Sequence, residues 1–185
     1  GAAAAVAAAA RLRPDLVFST ILENGNMSDG NALFSSAHNN YGTTSTALAD
    51  STLAAGIQAM AEQREDGQPL NIQPAFLLVP PALEHDADIL LNSAQRYSST
   101  GDRNPFLRRN IMLISEARLN ATGVVDPVTG TTQTGSATNW FLAARASMAP
   151  TLVVGYLAGT GRRPRVRTFR LSQGRWGLGF DVNFD

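Results

Sequence analysis

The chain has 185 residues, none of them cysteine or lysine, and only 7% of them are aromatic. Without cysteine it forms neither disulfides nor thiolate metal sites, and an intracellular origin is the default expectation. No apolar run approaches the roughly 20 residues that span a bilayer, so we predict no membrane partner. The alanine-rich stretch 2–10 lacks a preceding basic segment, which favours a helix over a signal sequence.

The clearest local pattern lies in residues 74–92, where an apolar run stops at two consecutive prolines. Proline donates no backbone hydrogen bond and cannot continue a central strand, but it suits the first turn of a helix. We therefore predict a buried strand over 75–79 and a helix over 82–94. The apolar face of that helix consists of Leu83, Ala87, Leu90 and Leu91.

The remaining pattern predicts an α+β fold with one mixed sheet and at least three helices. A long helix is expected over Ala2–Glu23, where Pro14 either kinks it or starts a second helix. A further helix should be capped by Asp50 or Ser51 and end near Asp66-Gly67. Further strands are predicted over 111–114, 140–144 and 152–157, with a mobile surface excursion at 122–138 and a terminal hairpin of 165–171 with 175–185.

Charge is segregated along the chain although the formal net charge is zero. Residues 1–95 carry three Arg against ten acidic residues, whereas residues 96–175 carry twelve Arg against three. Such an arrangement suits head-to-tail self-association, in which an acidic face meets a basic one. It is equally compatible with an anionic polymer near the basic half.

Arginine is densest near the end of the chain, where no acidic residue interrupts the run from 162 to 175. Three interpretations stay open, namely a solvated hairpin, a salt-bridging protein interface and a nucleic-acid contact. Only Phe169 lies among these arginines, so base stacking on a single strand is not expected. The candidate contact residues are Arg108, Arg109, Arg162, Arg163, Arg165, Arg167 and Arg170.

The two histidines are the other residues with chemical potential. His85 stands among Glu84, Asp86 and Asp88, which is the one grouping that suggests a metal-assisted hydrolase. Acids are also favoured in the first turn of a helix, and no second cluster supplies further ligands. His38 is expected to hydrogen-bond a nearby turn. We therefore predict no catalytic residue, no metal and no cofactor.

Short motifs along the chain, taken in order, resemble those of the Mu-type major head subunits of tailed bacteriophages and prophages. They are Leu16-Val17, Met27-Ser28-Asp29-Gly30, Ala32-Leu33-Phe34, His38-Asn39-Asn40, Ala59-Met60, Asp66-Gly67, Pro69-Leu70-Asn71-Ile72, Phe76-Leu77-Leu78-Val79-Pro80-Pro81-Ala82-Leu83-Glu84, Asn104-Pro105-Phe106, Arg118-Leu119, Trp140-Phe141-Leu142-Ala143-Ala144, Tyr156-Leu157-Ala158-Gly159 and the segment from Arg175-Trp176 to Phe180-Asp181.

The resemblance implies the tailed-phage major-capsid fold. Residues 1–30 would be the later part of a long spine helix in the peripheral lobe. Residues 31–165 would form an axial lobe of mixed β-sheet with flanking helices. Residues 166–185 would form a peripheral hairpin strand that returns to the peripheral lobe. The resemblance also implies an N-terminal arm before Gly1 and a further segment after Asp185, and the absence of a cap at the start of the first helix agrees with the former.

The function that the resemblance implies is structural. The chain would be a non-enzymatic virion subunit that self-assembles into hexamers and pentamers of an icosahedral head. Packaged double-stranded DNA would be a further partner, together with a portal and a scaffold or protease protein, and assembly would take place in the cytoplasm of the bacterial host. The alternatives are the hydrolase at His85 and an Arg-rich nucleic-acid-binding module.

Overall fold

A computed structural model describes residues 2–42, 46–95, 101–155, 165–170 and 176–181. These residues form an α+β structure with small sheets. Its α-helices are α1 (Ala2–Glu23), α2 (Asp50–Ala61) and α3 (Glu84–Asn92). Its strands are β1 (Arg64–Glu65), β2 (Gln68–Pro69), β3 (Pro74–Val79), β4 (Met112–Ser115), β5 (Val124–Val125), β6 (Thr132–Gln133), β7 (Phe141–Ala144), β8 (Arg165–Arg170) and β9 (Trp176–Asp181).

The central sheet has the strand order β4-β3-β7. Strand β3 runs parallel to β4 and antiparallel to β7, so the sheet is mixed, as predicted. Leu77 lies in the middle strand opposite Leu113 on one side and Leu142 on the other. Its side chain and that of Val79 are fully buried, which is why this run is almost entirely apolar.

Two helices cover the sheet and complete the core. Leu53 and Ile57 of α2 are buried in the same cluster as β3. On α3 the predicted apolar face is confirmed, since Ala87, Leu90 and Leu91 are buried and Leu83 packs against the cluster. Burial of these side chains is the main favourable term in the stability of this half of the molecule.

The unit that follows β3 differs from the predicted helix 82–94 at both ends. Residues Pro81–Leu83 form a 3₁₀ turn, in which the Leu83 N–H donates to the Pro80 carbonyl, and α3 begins only at Glu84. The helix ends at Asn92 because the Asn104 amide donates to the carbonyls of Leu90 and Ser93 and takes up groups left free at the helix end.

Helix α2 also differs from its predicted bounds. Its N-cap is Ala49, whose N–H donates to the Thr52 hydroxyl, so Asp50 is already inside the helix. The helix ends at Ala61 rather than near Asp66-Gly67. Those two residues, with φ of 50° and 79°, form the tight turn of the β1–β2 hairpin, because positive φ at both positions suits a two-residue loop.

Helix α1 continues through Pro14 as a single helix, ~33 Å long at the usual rise per residue. It carries a strap, by which we mean residues 116–136. The strap begins where the Glu116 N–H donates to the Val79 carbonyl at 2.9 Å, and its hairpin of β5 and β6 lies against α1. The central sheet is therefore connected to α1 through the strap.

The strap is fastened to α1 by two polar contacts. Arg118 Nε lies 2.6 Å from Asp15 Oδ1, and its Nη1 lies 2.9 Å from Glu116 Oε1. Ser19, which is fully buried, donates to the nearly buried Asp126 at 2.9 Å. Backbone N–H groups of Thr129 and Val128 bind the same carboxylate and lower the pKa of Asp126, so it stays ionised.

The prediction of an exposed excursion over 122–138 is wrong for its inner residues, since Val124 and Asp126 are buried. The strands of this hairpin approach closely at Gly123, which has a φ of 62°. A Cβ atom there would stand 1.8 Å from the Gln133 carbonyl oxygen, so a larger residue would separate the strands.

The remaining strand predictions have mixed outcomes. The predicted strand 152–157 is not formed over 152–155, and 156–157 lie outside the described residues. The predicted terminal hairpin is confirmed in its centre, where β8 pairs antiparallel with β9 and the pair lies beside α1. Residues 171–175 and 182–185 are also outside the described part.

We expect Arg118→Ala to lower the free energy of unfolding by about 1–3 kcal/mol. The change removes two charge-assisted hydrogen bonds and leaves Asp15 and Glu116, which are only 26% and 20% exposed, without their cation. Urea unfolding at neutral pH measures the effect. Arg145→Ala is the matched control, because this exposed arginine is expected to change stability by less than about 0.5 kcal/mol. Equal effects of the two changes would contradict the role given to Arg118.

Candidate functional site

The predicted contact residues fall into two groups in the structure. Arg108 and Arg109 lie at the end of a 3₁₀ turn that starts at the buried Phe106, and both are exposed. Within the described ranges, neither guanidinium has a hydrogen-bond or ion-pair partner. Among the described residues the pair is therefore an exposed and unpartnered cationic surface next to the buried Phe106.

The arginines of the second group lie at or near β8. The backbone positions of Arg165, Arg167 and Arg170 belong to this strand, and Arg165 is paired with Asp181 of β9. Arg162 and Arg163 lie outside the described residues. For all five, a contact role stays a prediction.

Exposed apolar side chains flank Arg108 and Arg109. Leu107 is 46% exposed and Met112, at the start of β4, is 61% exposed. Large apolar side chains next to unpaired arginines are typical of protein–protein interfaces, where arginine is enriched and apolar surface is desolvated. This part of the surface consequently has the composition of a contact region rather than of a reaction centre.

A groove of about 440 Å³ adjoins this surface, between α2 and the segment 105–109. Ile57 and Phe106, each 4% exposed, are its most deeply buried side chains. The complete lining is Asp50, Ala54, Ile57, Gln58, Ala61, Gln73, Pro105, Phe106 and Arg109. The set contains no histidine, cysteine or serine, and its one carboxylate, that of Asp50, is only 8% exposed.

The grouping around His85 does not develop into a site. Glu84, His85, Asp86 and Asp88 are all exposed on α3. Over the described ranges, no set of three or more histidine and acidic side chains could hold a metal ion. The hydrolase hypothesis thus finds no support in the geometry.

His38, by contrast, joins a hydrogen-bonded loop of residues 24–40. Its Nε2 lies 2.9 Å from Asp29 Oδ2 and its Nδ1 lies 3.1 Å from the Leu33 carbonyl oxygen. Both ring nitrogens face acceptors, so both need a proton, and only the imidazolium form satisfies both contacts. The prediction that His38 binds a nearby turn is confirmed.

The charge of this loop is reflected in two shifted pKa values. The side-chain amide of Asn31, then His38 and the Asn31 backbone N–H, lower the pKa of Asp29 from its ordinary 3.8 to about 2. The bond to Asp29, followed by that to the Leu33 carbonyl, raises the pKa of His38 above its ordinary 6.5. At pH values between these two pKa values, Asp29 is negatively charged and His38 is positively charged.

The His38 loop connects α1 to the rest of the molecule. Asn24, at the end of α1, exchanges two hydrogen bonds with the Phe34 backbone, at 2.6 and 3.1 Å. The Phe34 ring packs on Phe141 of β7 with centroids 5.3 Å apart. The Gln63 amide donates to the carbonyls of His38 and Asn39. The loop therefore holds α1, the central sheet and the end of α2 together.

Sequence reasoning missed most of these partners. Nothing local in the sequence indicates that Asp29 pairs with His38 nine residues later. The contacts of Arg118 and Asp126 with α1 span more than 100 residues and have no local signal either.

Of the helices that the structure describes, none combines the length and apolar character needed to cross a bilayer.

A model of the family described as phage capsid protein matches residues 1–185, the full length of the chain. The chain belongs to the phage capsid protein family. Comparisons with curated proteins and with solved structures gave no match. The resemblance to capsid subunits is thereby confirmed at the level of the family, while the Mu-type subfamily stays a prediction.

Membership of the phage capsid family has direct functional consequences. The chain is a structural protein of the phage head, and its place is the virion. A capsid protein acts by self-association into a shell, and such association requires exposed contact surface on each subunit.

We expect the His38 loop of this capsid protein to make its full contribution to stability between about pH 4 and pH 6.5. The raised pKa of His38 means that its contribution is complete below 6.5 and is lost as pH rises through the higher folded value. The lowered pKa of Asp29 means that its contribution is complete above 3.8 and is lost as pH falls towards about 2.

Unfolding in urea at several pH values, for the wild type and for His38→Gln, measures this dependence. The advantage of the wild type over His38→Gln should shrink as pH rises above about 6.5. His85→Gln is the control, because His85 is the second of the chain's two histidines and is exposed. If the difference between wild type and His38→Gln stays constant from about pH 5 to pH 9, the imidazolium assignment is wrong.

Proposed function

We propose that the protein is a major capsid subunit that assembles into hexameric and pentameric capsomers of an icosahedral head around double-stranded DNA. The observation that carries this proposal is the match of the phage capsid family model to the entire chain. The structure supports it with Arg108 and Arg109, which are exposed and have no partner among the described residues.

We further propose that the chain has the tailed-phage major-capsid fold of the Mu-type subunits. In this proposal α1, within residues 1–30, is part of the spine helix. The central sheet with α2 and α3, within 31–165, is the axial lobe, and 166–185 returns to the peripheral lobe. The position of the β8–β9 hairpin beside α1 supports this division, since the end of the chain comes back to its first helix.

In this proposal the strap connects the two lobes. It belongs to the range 31–165, yet it packs along α1 through Arg118 and Asp126. The two proposed lobes would therefore be joined by non-covalent contacts as well as by the chain. A joint of this kind would transmit a displacement of α1 to the central sheet through the Glu116–Val79 hydrogen bond.

The proposed mechanism of assembly is binding between copies of the chain. In this proposal the acidic first half and the basic second half of one chain meet opposite charges on its neighbours, which favours one orientation of the contact. Because each contact is repeated around a capsomer and across the shell, contacts that are weak one by one become strong together. Portal and scaffold or protease proteins and the packaged DNA are proposed as further partners.

Electron microscopy of the protein, expressed from its complete reading frame and purified, tests the proposal. We expect closed shells or capsomer rings. Particles that contain only this chain as shell material would support the proposal. The protein is observed over a concentration range of about 100-fold, and protein that stays monomeric throughout that range would contradict the proposal.

We predict that reversing charge at Arg163 and Arg165 together lowers particle yield, because like charges facing each other across an interface are repulsive. The measurement is the pelleted fraction of Arg163→Glu/Arg165→Glu protein relative to the wild type. Arg145→Glu is the matched control on an exposed residue. Unchanged yield of the double variant would exclude an essential interface role for the arginine run.

The nucleic-acid-binding alternative has no observation in its favour beyond the arginine run itself. It predicts duplex binding by the unassembled chain with a steep salt dependence. The alternative requires that arginines neutralise phosphates, which makes the affinity fall as salt rises. Duplex binding whose affinity does not change with salt would therefore contradict it.

A further inference from the structure

The β1–β2 hairpin, residues 64–69, is an acidic projection on the surface. All six residues are exposed, and the Arg64 guanidinium donates to the Gly67 carbonyl at 2.8 Å, which ties the turn. The carboxylates of Glu65 and Asp66 have no hydrogen-bond or ion-pair partner in the described part of the chain. Next to the hairpin, Leu70 is 43% exposed. The projection thus presents two unpaired negative charges beside an apolar side chain.

The groove between α2 and segment 105–109 has complementary properties. It follows α2 from Asp50 to Ala61, a length of ~16 Å. Its acidic residue, Asp50, is only 8% exposed, so its accessible charge is the guanidinium of Arg109. Leu107 and Met112, which flank Arg108 and Arg109 in sequence, supply exposed apolar surface. The groove thus presents positive charge and apolar surface where the hairpin presents negative charge and apolar surface.

We propose that the acidic hairpin of one subunit seats in the groove of a neighbouring subunit. Glu65 and Asp66 pair there with Arg108 and Arg109, and Leu70 contacts Leu107 and Met112. This contact deepens the proposed function, on which it rests, by naming one interface between adjacent capsid subunits. In this contact the two acids gain cationic partners and the two arginines gain anionic partners. The exposed apolar side chains are removed from water at the same time.

The hairpin of a second copy fits the groove better than the other acidic segment of the chain. The acids of α3 lie in its first helical turn, where the helix dipole already favours negative charge without any partner. Asp66 is favoured by the tight turn itself, whereas Glu65 lies in β1, where no helix dipole accounts for its charge. The hairpin is also fixed in shape by its turn and the Arg64 bond, which lowers the ordering cost of docking.

The hairpin does not fill the groove of its own chain, since none of residues 64–69 lines it. It does adjoin that groove, because Ala61 and Gln73, which line it, lie on either side of the hairpin in sequence. Each subunit therefore carries the projection and the recess side by side.

Disulfide trapping between two different chains tests the contact directly, because the chain contains no cysteine of its own. Glu65→Cys is placed on one chain and Gln58→Cys on another, the two are co-assembled, and the particles are oxidised mildly. Glu65 is preferred to Asp66, whose φ of 50° would be strained with a cysteine. We expect a covalent heterodimer on a non-reducing gel, about tenfold above the control pair Asp86→Cys with Gln58→Cys.

A charge exchange provides the second measurement. Arg109→Glu should lower particle yield about tenfold, and Glu65→Arg in the same chain should restore much of it, because the pair is then reversed rather than broken. Asp86→Arg combined with Arg109→Glu is the control and should restore nothing. Unfolding curves of each variant identify any that fail to fold, and these are replaced by Arg109→Gln and Glu65→Gln.

The outcomes separate the contact from the function on which it rests. Wild-type protein that forms no particles contradicts the proposed function. Particles that form normally but give no heterodimer above the Asp86→Cys control contradict the hairpin contact and leave the capsid function standing. Heterodimer formation together with rescue by charge exchange supports both.

Discussion

The burial of strand β3 is the constraint on which the rest of the molecule depends. Leu77 and Val79 have no exposed surface, and the two helices of the core pack around this strand. The strand also ends in a fixed way, because Pro80 and Pro81 cannot continue it. Its last carbonyl, that of Val79, accepts the hydrogen bond from Glu116 that starts the strap. The apolar core thereby determines where the polar joint with α1 is built.

That joint is of a different physical kind from the core. Arg118 and Asp126 attach the strap to α1 by charge-assisted hydrogen bonds, whose strength depends on direction as well as distance. The ring of Phe18 lies 5.9 Å below the Arg118 guanidinium and adds an aromatic face to the site. The core therefore supplies most of the stability, and the polar joint sets the orientation of the long helix relative to the sheet.

The sequence predicted the parts of this structure that local pattern encodes. Strand β3, the apolar face of α3 and the terminal hairpin follow from runs of apolar residues, from alternation and from two prolines. The ends of α2 and α3 were predicted wrongly, because distant or neighbouring groups decide them: the Asn104 amide closes α3 from 11 residues beyond Ser93. The candidate arginines 108 and 109 are indeed exposed, but the groove beside them unites α2 with a segment about 50 residues later and could not be read from either alone.

The chain uses only arginine as its strong base, and this choice affects the joint at Arg118 when the protein is heated. The hydration of charged groups becomes less favourable as temperature rises, so the cost of withdrawing Arg118, Asp15 and Glu116 from water falls. The apolar packing around Leu77 gains no comparable advantage. We therefore expect the attachment of α1 to the strap to lose less of its strength on warming than the polar contacts of the molecule would in the absence of this effect.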